Sequence, residues 1–258
     1  MTIARVHLVD PLVSRWYHCI TRCVRRARLL GENSDRKDWI EHRLKELGEI
    51  FGISVAGFAV LDNHLHLLVR LELETVKSWT DEEVIRRWAR LFPPRDKMRR
   101  PLEASDDWVK GHLLNAAWIK RARQRLGSLS WFMKCLKEPL ARLANQQDQA
   151  SGAFFEGRFK SIAILDEGSL LATCAYIDLL VDYTARLFRE GKASLCREMA
   201  EILDRLHTSA EQWRARLDRL RTGRPLGRFF AATRARLREI GTRLNLKHVP
   251  NLGGCPVT

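Results

Sequence analysis

Two extended runs, Ile53 to Leu61 and His64 to Leu71, are separated only by Asp62-Asn63, and this pairing restricts the fold more than any other feature of the chain. Apolar and β-branched residues fill both runs, and Asp-Asn is turn chemistry, so the segment reads as a β-hairpin. Residues at i and i+2 of a strand point to one face. His64 and His66 therefore stand side by side, their ring nitrogens able to share one divalent cation, while Leu65, Leu67 and Val69 turn to the other face and a core. Two adjacent imidazoles make half of a metal site. The competing reading is a pair of histidines that only pack.

Around the hairpin the periodicities alternate. Tyr17-His-Cys-Ile-Thr-Arg-Cys-Val-Arg25 alternates in strand fashion and predicts a first strand. Trp39, Ile40, Leu44, Leu47 and Ile50 recur at helical spacing, predicting a helix over 35 to 51 that Gly52 closes. Strand, helix, strand, strand implies an α+β fold with an antiparallel sheet. Thr80-Asp-Glu-Glu83 is a capping box, so a helix follows and runs to Phe92-Pro93-Pro94. A charged loop is expected over 95 to 107, then helices over 108 to 126 and 130 to 147, the second kinked or broken by Pro139. A fourth strand is expected over 153 to 165 and a long apolar helix over 169 to 187. Beyond Gly191 the chain turns to arginine-rich amphipathic helices, which divides it into a domain over 1 to 190, with a helical insertion at about 73 to 127, and a helical extension over 191 to 258.

Forty-five Lys and Arg against 31 Asp and Glu leave a formal charge of +14, and such a surface attracts polyanions. Arginine's planar fork suits phosphate oxygens, so nucleic acid is the expected partner. Arginine that merely solvates helix faces is the alternative for any single position. No run approaches the ~18 apolar residues needed to cross a bilayer, and the first residues form no apolar signal segment, so a soluble, cytoplasmic protein is expected. The six cysteines form no CxxC pair, which argues against a zinc knuckle or a disulfide framework.

Three blocks, Tyr17-His-Cys-Ile-Thr-Arg22, Asn63-His-Leu-His-Leu-Leu68, and Phe155-Glu-Gly-Arg-Phe-Lys-Ser161 with Ala175-Tyr-Ile-Asp-Leu179, follow one another in the chain. In their order and spacing the chain resembles the HUH single-tyrosine transposases, in particular the branch of REP-associated tyrosine transposases, over roughly residues 15 to 185. The resemblance implies a ferredoxin-like antiparallel sheet backed by helices and a homodimer. It implies that His64 and His66 hold Mg²⁺ or Mn²⁺ against a scissile phosphate of single-stranded or hairpin DNA, with Asn145 as a third ligand and Glu138 as another oxygen donor. It also implies a helix-borne tyrosine that attacks to leave a 5′-phosphotyrosine link.

The chain departs from the pattern at that last point. The helix over 130 to 147, where the nucleophile belongs, has no tyrosine, and the matching position falls at Leu140 or Ala141. Only Tyr17, Tyr176 and Tyr183 exist, of which Tyr176 matches a family tyrosine expected to pack structurally and is the one catalytic candidate. Arg22, Arg25, Arg158 and Lys160 are the candidate phosphate contacts. Three functions fit these residues: a transposase-like enzyme that cleaves structured single-stranded DNA, a descendant without catalysis that keeps the DNA grip, and a metal-dependent hydrolase of a small substrate, against which the charge argues.

Overall fold

The computed structural model describes residues 9–31 and 34–179. Tyr183, the end of the apolar helix and the extension over 191 to 258 lie outside the described residues. The fold is α+β, with a four-stranded antiparallel sheet in the order β2-β3-β1-β4. Its strands are β1 (Trp16–Arg22), β2 (Ile53–Leu61), β3 (His64–Leu71) and β4 (Lys160–Ile164). Helix α1 (Ser34–Ile50) joins β1 to β2. Five helices, α2 (Leu73–Ser78), α3 (Asp81–Leu91), α4 (Asp106–Leu113), α5 (Ala116–Leu126) and α6 (Leu129–Gln147), separate β3 from β4, and α7 (Glu167–Leu179) follows. With β1 lying between β3 and β4 and a helical connection after both β1 and β3, this is the ferredoxin-like strand order.

The chain divides into two compact units: one holds β1, most of the β2–β3 hairpin, β4 and α7, and the other holds α1 to α6 with the chain around them. In the first unit, β1 pairs antiparallel with β4, so that Trp16 faces Ile164, His18 faces Ile162 and Ile20 faces Lys160. Asp166 starts α7 by accepting from the Ser169 backbone N–H (2.7 Å) and hydroxyl (3.0 Å), which satisfies donors that a helix start leaves open. The apolar length of α7 then covers the sheet: Leu170, Leu171 and Ile177 pack with Ala56, Ala59, Leu68 and Ile164. Tyr17 points away from His18 along the strand and is fully buried, its hydroxyl donating to the Asp10 carbonyl (2.9 Å).

In the second unit, Ile40, Leu44, Leu47 and Ile50 of α1 are buried, as are Phe132, Leu136, Leu140 and Ala144 of α6, and the two helices pack together. Each such leucine removed from water contributes about 2 kcal/mol. Arg36 is buried with them and is fully engaged, donating to Gln147 Oε1 (2.8 Å), the Leu29 carbonyl (2.6 Å) and the Asp148 carboxylate. Buried charge persists only with such partners.

Several boundaries differ from the sequence expectation. The first strand ends at Arg22, because Val24–Arg26 form a 3-10 turn in which Arg25 and Arg26 take positive φ values of 53° and 56°. The fourth strand is five residues long; Glu156, Gly157 and Arg158 precede it as exposed chain, since Gly157 offers a strand no side chain to pack. The helix expected over 108 to 126 is two helices. Asn115 interrupts it by accepting the Trp118 N–H at 3.0 Å and capping α5. Pro139 sits inside α6 without ending it. The loop expected over 95 to 107 is closed by Asp96, which accepts from the Met98 and Arg100 backbone N–H groups, and its end already belongs to α4.

Gly52 ends α1 as expected, and it does so at a point of close approach. Its N–H donates to the Leu126 carbonyl (3.0 Å) and its carbonyl accepts from Glu72 (2.9 Å), and a Cβ at this position would fall on the Val76 Cγ2 methyl. Valine is stiff about χ1 and cannot swing aside cheaply. Gly52→Ala is expected to destabilise the chain by about 1–3 kcal/mol, measured by urea denaturation. An unchanged midpoint would mean that Val76 yields freely.

Candidate metal centre

The strand alternation that defines β3 sends His64, His66 and Leu68 to one face. Leu68 joins the apolar cluster beneath α7, so this is the face that α7 covers. The His64 and His66 rings lie 4.9 Å apart between centroids at 65°, side by side as the sequence predicts. His66 is buried and His64 half-buried. Two further groups from the same unit complete the cluster. His18 of β1 stacks on His66 at 5.0 Å, its Nε2 within 2.8 Å of His66 Nδ1. Tyr176 of α7 stands edge-on to both, 5.5 Å from His66 and 6.0 Å from His18.

The hydrogen bonds orient the rings. Asn63 Oδ1 can only accept, so His64 Nδ1, 2.6 Å away, carries a proton, and in the neutral ring this leaves the lone pair on Nε2. Between His18 and His66 one ring donates and the other accepts, which requires that they are not both charged. Burial enforces this on His18, pushing its pKa down to about 4. When His66 Nδ1 is the donor, its Nε2 is the lone-pair nitrogen and Nδ1 of both HxH rings is held by a neighbour, as in metal-binding histidines generally; His66 Nε2 is a buried atom, whereas His64 is half-buried.

Asn145 lies in the other unit on α6, half-buried, with Nδ2 donating to the Gly152 carbonyl at 3.0 Å. Glu138 of α6 is exposed and lies 3.7 Å from Lys134. Among the described residues no group of three or more His, Cys, Asp or Glu side chains is arranged to hold a metal ion. Arg22, Arg25, Arg158 and Lys160 are all exposed. Leu140, at the place where the resemblance puts a nucleophile, is buried in the α1–α6 core and Ala141 beside it is half-buried; both side chains are hydrocarbon, so neither can attack. Tyr17 is equally unsuited, because burial raises its pKa and its hydroxyl is held by Asp10. His18 is the residue that sequence reasoning missed. It belongs to the alternating Tyr17-His18-Cys19 run, but nothing local says that β1 becomes the neighbour of β3.

No protein-family profile matches the chain. No curated protein matches it either. Among solved structures it is similar to one described as the structure of a REP-associated tyrosine transposase bound to a REP hairpin, with 12% identity and a TM-score of 0.35; 64% of this chain is covered, and it spans 64% of that one. A superposition this loose leaves the functional argument to the chain's own residues. No helix among the described residues is long and apolar enough to cross a membrane.

The buried His18 gives the fold a signed pH dependence. Its native pKa lies below the unfolded value of about 6.5, so the unfolded chain binds the extra proton. The stabilisation is complete above pH ~6.5 and is lost as pH falls towards ~4. With a chelator present, unfolding at about pH 5 should need about 2 kcal/mol less than at about pH 7, and His18→Gln should flatten that difference. Equal stabilities for the parent chain at the two pH values would contradict a neutral buried imidazole.

Proposed function

We propose that the chain binds single-stranded or hairpin DNA and that His64 and His66 hold a divalent metal ion for phosphodiester cleavage of the transposase type. The observation that carries this reading is the HxH pair itself: two rings on one face of β3, 4.9 Å apart, each with Nδ1 engaged by a neighbouring side chain. The charge of +14 favours a polyanionic substrate and disfavours the small-substrate hydrolase. An imidazole pair suits Mn²⁺ better than Mg²⁺, which prefers oxygen ligands. A bound ion would supply Lewis acidity and a template for the scissile phosphate.

The chain's own residues would do the rest. Asn63 and His18 keep the two ligand rings in their tautomers. Arg22, Arg25, Arg158 and Lys160, all exposed, would bind backbone phosphates. Tyr176 is our candidate for the attacking group, on the strength of its ring lying 5.5 Å from His66. Its phenolate oxygen would form the bond to phosphorus as the bond from phosphorus to the 3′-side oxygen breaks, and the released strand would end in a 3′-hydroxyl after taking up a proton. The alternative without catalysis keeps the same DNA contacts and lacks only this step. A second copy of the chain would be the partner in the homodimer that the resemblance implies.

A labelled hairpin oligonucleotide incubated with the full chain and Mn²⁺ tests this directly. A covalent adduct on a denaturing gel, lost in Tyr176→Phe, is the expected result. Nicked product without adduct would assign the attack to water, and a gel shift without cleavage would leave the DNA-binding descendant. His64→Ala should abolish calorimetric Mn²⁺ binding with little loss of stability because His64 is half-buried, whereas His66→Ala should also cost about 1–3 kcal/mol by leaving His18 without its hydrogen bond.

A further inference from the structure

The helical unit carries a second feature that the metal centre does not use. Trp88 and Phe92 of the α3 end, Trp118 of α5 and Trp131 of α6 form one aromatic cluster. Trp88 lies 4.8 Å from Phe92, 5.7 Å from Trp131 and 6.2 Å from Trp118. The same helices have already buried an apolar core without these rings: Val84, Ile85, Ile119, Ala122, Leu126 and Phe132 are all below 4% exposure. The four clustered rings stay outside that finished core. None of the three tryptophans is buried, and Phe92 is 43% exposed.

Cations are interleaved with the rings. The Arg125 guanidinium lies 4.4 Å from the Trp131 ring centre and 5.5 Å from that of Trp88, and Lys134 Nζ lies 4.9 Å from Trp131. Helix α5, Ala-Ala-Trp-Ile-Lys-Arg-Ala-Arg-Gln-Arg-Leu, contains four basic residues and no acidic one; Arg123 is tied to Asp81 and to the Val76 and Trp79 carbonyls, so the positive setting rests on Lys120, Arg121 and Arg125. A half-buried aromatic cluster with one exposed ring, Phe92, at its edge offers a binding surface, and its positive setting selects an anionic occupant. Flat rings with arginine between them match unpaired nucleobases, which stack on aromatic faces while the phosphates meet the cations.

We infer that Trp88, Phe92 and Trp131, with Arg125 and Lys134, form a stacking platform for unpaired bases of single-stranded DNA. This rests on the reading that DNA is the partner, and it names which part of the DNA the helical unit takes. A duplex hides its base faces and gains only the charge term here.

The test uses the full chain with chelator, so that the metal centre plays no part, and compares a poly-dT oligonucleotide with a blunt duplex by fluorescence anisotropy. Phe92→Ala/Trp131→Leu should weaken poly-dT binding about tenfold or more and leave duplex binding unchanged. Poly-dT should also quench tryptophan emission of the parent chain. Phe92→Ala alone, which removes an exposed ring, should show a smaller loss in the same direction if the double variant melts early. Undiminished poly-dT affinity in a folded Phe92→Ala/Trp131→Leu chain would overturn the platform while leaving DNA binding intact. So would loss of self-association by that variant in sedimentation with no change in DNA affinity, which would make a second copy the occupant. Failure of the parent chain to bind either DNA would overturn the proposed function as well.

Discussion

The two-residue alternation of β3 is the constraint on which the first unit depends. It sends Leu68 into the cluster under α7 and brings His64 and His66 to the same face. One shift of register would exchange that face with Leu65, Leu67 and Val69, and the histidines would be lost from α7 and from β1 together. Packing and site therefore share a single cause: the apolar residues that hold β3 in register also hold the imidazoles in position.

Much of this was legible in the sequence for local reasons. The hairpin runs and their two-residue turn stand where the sequence predicts, because Asp62-Asn63 and the flanking apolar residues act over a few positions. The capping box is equally local, Thr80 accepting the Glu83 N–H at 3.1 Å. The misjudged boundaries came from competition between nearby groups. Asn115 falls inside the helical run over 108 to 126, but its side chain caps a new helix. Glu156 to Arg158 read as strand, yet only Phe155 makes a single bridge, to Cys23, before β4 begins at Lys160.

The candidate site was legible only in part. The HxH spacing announces itself within three residues, whereas His18 reaches His66 across a separation of 48 positions and only through the strand order. The aromatic cluster was hidden for a different reason. Each of its rings occupies an ordinary position in an amphipathic helix, and one helix alone does not reveal that the aliphatic residues would fill the core and leave the rings outside.

The corner after β1 carries a further consequence. Arg25 and Arg26 occupy left-handed backbone, φ 53° and 56°, where glycine is the unstrained residue and an L side chain costs roughly 1–2 kcal/mol. Thermodynamic economy and electrostatic reach thus pull against each other at this bend. The chain spends conformational energy there to point two guanidinium-bearing stems outward, and a more relaxed version of the corner would be a less cationic one.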